Sequence, residues 1–469
     1  MLQTLKNAWR TPELRHKMLV VLFILMLYRI GTLIPVPFID AATFDAQFGD
    51  TIFAYLNILS GGAMSTATLF ALGVSPYITA TIVIQLLTVA IPALERKIKD
   101  GKDGQKFQEM LNRYTTVIIA VITGFGYYML LKNNDMLEST VTEASTFIQV
   151  LVAVVIVTCF VAGAALIMWL GEKIDESGIG SGISLILFAN IISSLPSMAI
   201  RMVELVRYGG FEANAEGWAK AGHIAGALGF VLGIIALMIA QVFFIVWVTG
   251  SERRVPVQYA KRVVGRKMYG GQSSTLPIKL NMSGVMPVIF ASSVVSLPAT
   301  IMTLCGVVGT DSLKSTETPT FWNKFYDFMS TDGWFYPLVL AVLIIAFSYF
   351  YISISFNPVE VANNLKKNGG LIPGIRQGRP TADYIKKILN KVTLMGAFFL
   401  AIVAVLPILA TPLVNLIIKA LMGSSSYSNY FASAFTFGGT STLIVVGVAQ
   451  ETFRALEAQL TMRNYKGFL

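Results

Sequence analysis

The residues that could carry out catalysis are few in this chain, and their spacing does not group them. The two histidines, His16 and His223, are predicted to lie near opposite faces of the membrane, so a metal site or a Ser-His-Asp triad has little from which to form. The glycines Gly178, Gly180 and Gly182 lack the G-x-x-x-x-G-K-[ST] pattern of a phosphate-binding loop. They favour a flexible connection instead. We therefore expect no enzyme activity, no cofactor and no metal site, and a membrane-embedded hydrolase lacks its residues.

Charged residues are also rare inside the apolar runs. No Asp or Glu lies at the centre of a run, whereas ion-coupled carriers usually hold such a carboxylate, which costs about 2.5 to 3.5 kcal/mol to insert. A secondary carrier for a small solute is the alternative that this absence disfavours. Arg29 is the exception, and two interpretations stay open. Either it has a functional role inside the membrane, or its guanidinium only reaches outward to the membrane surface or caps carbonyl groups of a neighbouring helix.

Composition indicates the class of protein to which these residues belong. The chain has 469 residues, of which 55% are hydrophobic and 13% charged, and its mean hydropathy is +0.66. These values are typical of a polytopic membrane protein. Ten runs are long enough to span a bilayer: residues 18–36, 76–91, 114–131, 147–170, 183–206, 223–248, 282–304, 335–356, 392–418 and 431–450.

Lysine and arginine are distributed unevenly between the two sides of these spans. Loops on the side of the amino terminus carry 28 of them and the opposite loops carry six. The positive-inside rule then predicts that both termini are cytoplasmic in a multi-pass membrane protein. The regular alternation also supports the count of ten spans.

The ten spans divide into two sets of five, residues 1–206 and 223–469, joined by an external hinge loop at 207–222. Because five is odd, the second set must cross the membrane in the opposite sense, as in inverted repeats. The motif G-V-x-P-x-I opens span two at Gly73 and span seven at Gly284. We therefore predict an all-α fold with two inverted pseudo-symmetric halves.

The stretch Gly61 to Leu72 is apolar but too short to cross a bilayer. Gly73 and Pro76 separate it from span two, so we predict a re-entrant half-helix. The non-helical backbone at its turn is tolerated at membrane depth only where protein buries it or a water-filled cavity surrounds it. The alternative is an interfacial helix on the outer leaflet.

Two long loops are strongly basic. The 249–281 loop has seven basic residues against Glu252, and the 357–391 loop has seven against two acidic residues. Aromatic and aliphatic residues among the basic ones indicate a docking surface for an acidic protein or RNA. The alternative is that these charges only orient the chain and contact lipid headgroups.

The chain resembles the SecY family, the channel-forming subunits of the bacterial protein translocase, over essentially its whole length. The likeness is carried by YRIGTLIPVP (28–37), LSGGAMSTATLFALGVSPYI (59–78), IGSGIS (179–184), QYAKRVVGRKMYGGQSSTLPIKLNMSGVMPVIFASS (258–293), FNPVEVANNLKKNGGLIPGIRQG (356–378) and FGGTSTLIVV (437–446).

This resemblance implies a channel in the bacterial cytoplasmic membrane that moves unfolded secretory proteins across it and releases membrane segments sideways into lipid. It implies an apolar pore ring that seals the channel at rest, formed by Val74, Ile78, Ile183, Leu187, Val285, Ile289 and Ile444. Leu187 stands where many relatives have isoleucine, which keeps the ring apolar but can alter its diameter.

The resemblance also implies a plug that closes the outer funnel, a lateral gate between spans two and seven, and docking residues in the basic loops. The plug comprises Gly61, Gly62, Ala63, Met64, Ser65, Thr66, Ala67, Thr68, Leu69 and Phe70. The gate residues are Thr79, Gln85, Ser292 and Ser293, whose side chains pair across the gate or, alternatively, bond to carbonyls of their own helices. The docking residues are Lys261, Arg262, Arg266, Lys267 and Arg376.

The partners implied are SecE- and SecG-type small subunits, the motor ATPase SecA, the ribosome, signal-bearing unfolded polypeptides and membrane lipid.

Overall fold

A computed structural model describes residues 2–39, 60–133, 136–138, 145–208, 218–259, 262–264, 267–269, 273–304, 320–329, 335–422 and 439–466. Its helices are α1 (Leu2–Arg10), α2 (Pro12–Gly31), α3 (Ser75–Ala90), α4 (Pro92–Ile98), α5 (Gly101–Asn133), α6 (Thr146–Ser177), α7 (Gly182–Tyr208), α8 (Trp218–Gly250), α9 (Met286–Leu304), α10 (Phe321–Met329), α11 (Phe335–Ser355), α12 (Pro358–Lys367), α13 (Arg379–Met422) and α14 (Thr440–Lys466). The hinge residues 209–217 and the start of the last predicted span lie outside this description.

Each of the ten predicted spans coincides with a helix: α2, α3, α5, α6, α7, α8, α9, α11, α13 and α14. Of the residues that the structure describes, six helices are long and apolar enough to cross a membrane on their own, and α3 with α4 makes a seventh if that bent pair is one span. The helix α2 also carries Glu13, Arg15, Lys17 and Arg29, which lower its hydropathy.

Some helices are longer than the predicted spans, because the helix continues through polar residues beyond the apolar run. The helix α5 begins at Gly101 rather than near Tyr114, and α13 begins at Arg379 rather than near Val392. Apolarity marks only the part of a helix that fits the hydrocarbon, so it cannot predict these extensions. The chain bends by 111° between α3 and α4, where Pro92 begins the new helix.

The structure adds a small sheet that the sequence analysis did not predict. The 249–281 loop forms β1 (Glu252–Tyr259) and β4 (Ser273–Lys279), paired antiparallel, with β2 (Arg262–Val264) and β3 (Lys267–Tyr269) paired beyond them. The short strand β5 (Gly370–Leu371) pairs with β1. The side chains of Val255 and Val257 are buried and their neighbours are exposed. This alternation is the signal of a half-buried strand.

The helices of residues 2–208 and those of residues 218–466 meet along two seams of spanning helices, and α1 also packs against α14. At one seam α9 packs against α3 and α5, and at the other α7 packs against α8 and α14. Within the first set α6 contacts α2, α5 and α7, and within the second α11 contacts α9 and α13. One apolar cluster runs through both sets and contains the residues predicted for the pore.

Candidate pore, plug and docking surface

The seven residues predicted for the pore ring lie in one cluster of apolar side chains. Val74, Ile78, Leu187, Val285, Ile289 and Ile444 are buried members of it, and Ile183 packs against it. Four helices bring them together: α3, α7, α9 and α14.

Three pairs of these residues are spaced four apart at the amino-terminal ends of their helices. The main-chain N–H of Ile78 donates to the carbonyl of Val74 over 3.1 Å, and that of Ile289 donates to Val285 over 3.2 Å. Residues four apart share one helix face, so each helix presents two apolar side chains in the same direction. Gly447 lets α14 approach closely, since a Cβ there would overlap with the side chain of Val285.

The segment predicted as a half-helix is a succession of turns from Gly61 to Val74 rather than a regular α-helix. Its backbone has φ of +68° at Gly61, +91° at Gly62, +44° at Ala67 and +56° at Gly73. Each left-handed residue breaks the i to i−4 hydrogen-bond ladder, which explains the difference from the prediction. The hydroxyl of Ser60 accepts a hydrogen bond from the N–H of Met64 over 3.2 Å.

The plug segment pairs with the chain that follows α2. Pro35 and Thr68 form an antiparallel bridge. The N–H of Leu69 donates to the carbonyl of Ile34 over 2.9 Å, and that of Val36 donates to Ala67 over 3.2 Å. From the other side, the buried hydroxyl of Tyr127 donates to the carbonyl of Met64 over 2.7 Å.

Arg29 caps carbonyl groups, which is one of the arrangements left open by the sequence. Its Nη1 donates to the carbonyl of Gly61 over 3.3 Å, and its Nη2 donates to that of Ala189 in α7 over 2.8 Å. The neighbouring Tyr28 stacks on Phe70 with ring centroids 5.3 Å apart, and Asn190 Nδ2 donates to the Tyr28 hydroxyl over 2.9 Å. One end of the plug segment is therefore joined to both α2 and α7.

Sequence reasoning missed Tyr28, Tyr127 and Asn190 as contacts of the plug segment. The available signal was a polar group inside an apolar run, because buried polar groups require hydrogen-bond partners. Two glycines were also missed. A Cβ at Gly31 would overlap with the ring of Phe70, and one at Gly163 would overlap with the carbonyl of Leu69.

The predicted lateral gate lies where α3 packs against α9. The hydroxyls of Ser292 and Ser293 both donate to the carbonyl of Ile289 in their own helix, over 3.0 and 2.8 Å. The alternative of bonding within the helix is therefore the one found for both serines. Thr79 is half-buried, and Gln85 Oε1 is buried without a hydrogen-bond partner among the described residues.

The two basic loops form a single unit. The register pairs Gln258 with Leu371 and Tyr259 with Gly370, and an apolar cluster including Ile278, Ile372 and Ile385 lies beneath the sheet and α13.

Arg376 is exposed in the turns that follow β5. Gly374 and Gly378 flank it with φ of +80° and +95°. The hydroxyl of Thr381 donates to the Arg376 carbonyl over 2.8 Å, and Gln377 Nε2 donates to the Gly370 carbonyl over 3.2 Å. These contacts fix the backbone and leave the guanidinium on the surface.

The remaining docking candidates belong to the far end of the hairpin. The backbones of Arg262 and Lys267 lie in β2 and β3, whereas Lys261 and Arg266 lie outside the described residues. At the base of the sheet, partial burial lowers the pKa of Lys279, and the nearby charge of Arg454 lowers it further.

The family model for SecY matches residues 68–453. The protein translocase subunit SecY of Streptomyces galbus is 39% identical over an alignment of 480 residues, which covers 100% of this chain and 100% of that protein.

Two solved structures share the fold. One is a SecY protein whose plug domain stabilises the closed state of the translocation channel and maintains a membrane seal. It is 17% identical with a TM-score of 0.56, covering 93% of this chain and 90% of that chain. The other is Sec61 in the canine ribosome–channel complex from the endoplasmic reticulum. It is 16% identical with a TM-score of 0.55, covering 94% of this chain and 91% of that chain. Full-length identity to the curated relative and the match to the family model show that this chain belongs to the SecY family.

Proposed function

We propose that this chain forms a protein-conducting channel that moves unfolded secretory proteins across the cytoplasmic membrane. The observation that carries the proposal is the convergence of seven branched apolar residues from four helices, with the plug segment packed beside them. A narrow apolar constriction dewets and blocks ions, yet it offers a passing polypeptide no charge to which it could bind.

The plug segment, residues 61–70, would close this constriction at rest. Its apolar residues contact both the pore cluster, through Ala63 and Phe70, and a second cluster, through Met64. Polar contacts from Arg29 and Tyr127 hold the first part of the segment, at the carbonyls of Gly61 and Met64. A few hydrogen bonds of about 1 to 3 kcal/mol each can be exchanged for others during opening, whereas a covalent attachment could not.

The seam between α3 and α9 would be the lateral gate through which apolar segments leave for the lipid. The serine hydroxyls at this seam bond within α9, so they do not tie the two helices together. Parting the seam then costs mainly apolar packing, which lipid tails can replace.

The sheet β4–β1–β5 with the turns around Arg376 would be the docking surface for the motor SecA and the ribosome. Support comes from the exposed guanidinium of Arg376, the basic sequence of the hairpin, and the ribosome-bound state of the structurally similar canine Sec61. Both termini would be cytoplasmic, and SecE- and SecG-type subunits would complete the complex. We also propose that the chain divides at residues 207–222 into two inverted halves.

The experiment is reconstitution into vesicles with candidate SecE- and SecG-type subunits, SecA and ATP. We expect an unfolded secretory precursor to become resistant to external protease, and to stay sensitive when ATP is omitted. A folded, correctly inserted complex that protects no precursor under any subunit combination would contradict the proposal.

A further inference from the structure

The short helix α10 (Phe321–Met329) lies between two spanning helices. It follows α9 and precedes α11 in the chain, and it packs against both. Seven predicted spans precede it, so on the predicted topology it belongs to the outer side of the membrane, opposite the amino terminus. A helix held at the ends of two spans lies near the boundary between lipid headgroups and hydrocarbon.

One face of α10 is fixed to the protein. The side chain of Asn323 accepts a hydrogen bond from the N–H of Thr320 over 3.0 Å, and the N–H of Asn323 donates to the carbonyl of Thr320 over 3.1 Å. The first of these bonds is half of a capping box, which stabilises the start of a helix. Asn323 and Tyr326 are three residues apart and buried. Since this face packs inward, the other faces of α10 have fixed directions.

Another face of α10 carries exposed aromatic rings. Phe321 and Trp322 are 71% and 56% exposed. The ring of Phe325 lies 6.2 Å from that of Phe321 and 6.3 Å from that of Trp322, between centroids. Phe328 follows three residues after Phe325 on the same face and is also exposed. We call these four residues the aromatic stripe.

The aromatic stripe continues onto a spanning helix. The ring of Phe328 stacks on that of Phe335, the first residue of α11, with centroids 4.2 Å apart. Leu338 and Val342 follow three and seven residues after Phe335 on the same face of α11, and both are exposed. Because an exposed apolar face of a spanning helix contacts lipid, the same lipid-facing surface extends to α10.

The sequence of α10 favours lipid rather than water over the stripe. Tryptophan and other aromatic side chains are enriched at membrane interfaces, where an amphipathic helix buries its apolar face among the lipids. Lys324 is exposed at the edge of the stripe, so its ammonium group can stay in water while the rings do not.

We propose that α10 is an interfacial anchor whose aromatic stripe inserts among the lipids of the outer leaflet. The partner is the bilayer itself, without selection for a headgroup charge. Because the buried face of α10 packs against α9 and α11, the anchor sets the depth of both spans in the membrane. The anchor does not require protein conduction.

The experiment uses the full chain carrying Cys159→Ala and Cys305→Ala, reconstituted into phosphatidylcholine vesicles. A nitroxide is attached to Trp322→Cys, Phe325→Cys or Lys324→Cys, and thermal melting confirms that each labelled chain folds. Electron paramagnetic resonance then measures collisions with oxygen, which concentrates in hydrocarbon, and with a water-soluble nickel chelate. We expect oxygen collisions to dominate at Trp322 and Phe325, and nickel collisions at Lys324. Labels at Trp322 and Phe325 that meet water, or that protein shields from both reagents, would overturn the anchor.

A double variant tests whether the rings hold the helix in lipid. Burial of a phenylalanine side chain contributes enough free energy for a factor of ten or more, so Phe321→Ser with Phe325→Ser should lower the oxygen-to-nickel ratio at Trp322→Cys about tenfold. Lys324→Ser is the control and should leave this ratio unchanged. An unchanged ratio in the double variant would contradict the proposal. A photoreactive residue at Phe321 that captures a protein in native membranes, and no lipid, would also overturn it.

Discussion

Arg29 donates a hydrogen bond from Nη1 to the main-chain carbonyl of Gly61, over 3.3 Å and across 32 residues of sequence. The second guanidinium nitrogen binds Ala189 over 2.8 Å, so one side chain links α2, the plug segment and α7. Hydrogen bonds that involve a charged group contribute about 1.5 to 3 kcal/mol. We therefore expect this bond to restrain the start of the plug segment.

Replacing Arg29 with Leu should loosen the plug segment, because the Gly61 carbonyl loses its charged donor. We expect ion leak through reconstituted channels in planar bilayers to rise about tenfold, which corresponds to about 1.4 kcal/mol. The control is Arg10→Gln at the exposed end of α1, which removes a charge without touching the plug segment. Leak at the level of the unmodified chain would show that Arg29 is not a restraint.

Gly163→Ala should displace the plug segment, because the new methyl group would overlap with the Leu69 carbonyl. Such overpacking costs about 1 to 3 kcal/mol, so we expect a lower melting temperature in detergent. The matched control is Gly124→Ala in α5, where the nearest atoms of Leu72 and Phe160 are 3.7 Å away and leave room for a methyl group. Similar melting temperatures for the two variants would contradict this close packing.

Substituting Ser for both Ile78 and Ile289 should hydrate the constriction, since the hydroxyls bind water where branched alkyl groups exclude it. We expect ion conductance to rise about tenfold, which corresponds to a dewetting barrier lowered by about 1.4 kcal/mol. Conservative replacement of the same two residues by Leu keeps the ring apolar and should leave conductance low. If the serine variant conducts no more than the leucine variant, these residues do not form the seal.

Arg376→Glu should abolish SecA-driven transport into vesicles while the complex stays folded, because the guanidinium is exposed and its backbone is fixed by Thr381. Lys387→Glu makes the same charge change on the exposed surface of α13 and should retain most transport. Normal precursor protection by the Arg376 variant would remove this residue from the docking surface.

Ser293→Ala should change transport less than twofold, because its hydroxyl bonds to Ile289 in its own helix. An intrahelical hydroxyl bond of this kind adds little to the seam between α3 and α9. Crosslinking of cysteine pairs across the seam measures gate closure directly. A marked rise in lateral opening for Ser293→Ala would indicate a bond across the gate after all.

Much of the fold could be predicted because the relevant signals are local in sequence. Each of the ten apolar runs coincides with a helix of the described structure, and the bias of basic residues gave a consistent alternation of loops. Helix ends were less accurate. At Gly101 and Arg379 the helices continue through polar sequence, which apolarity does not mark. The β-hairpin was missed although its valines alternate, because the stretch was treated only as a basic loop.

The sequence by itself determined the chemistry of the candidate site: branched apolar residues at the pore, glycine at the plug segment, and exposed basic residues in two loops. Only the tertiary structure decided which of them meet. It paired Arg29 with Gly61 and Ala189, gave the plug segment turns rather than a helix, and joined the two loops through β1 and β5. Periodicity and composition report neighbours a few residues apart, whereas these contacts join residues separated by up to 160 positions and depend on how whole helices pack.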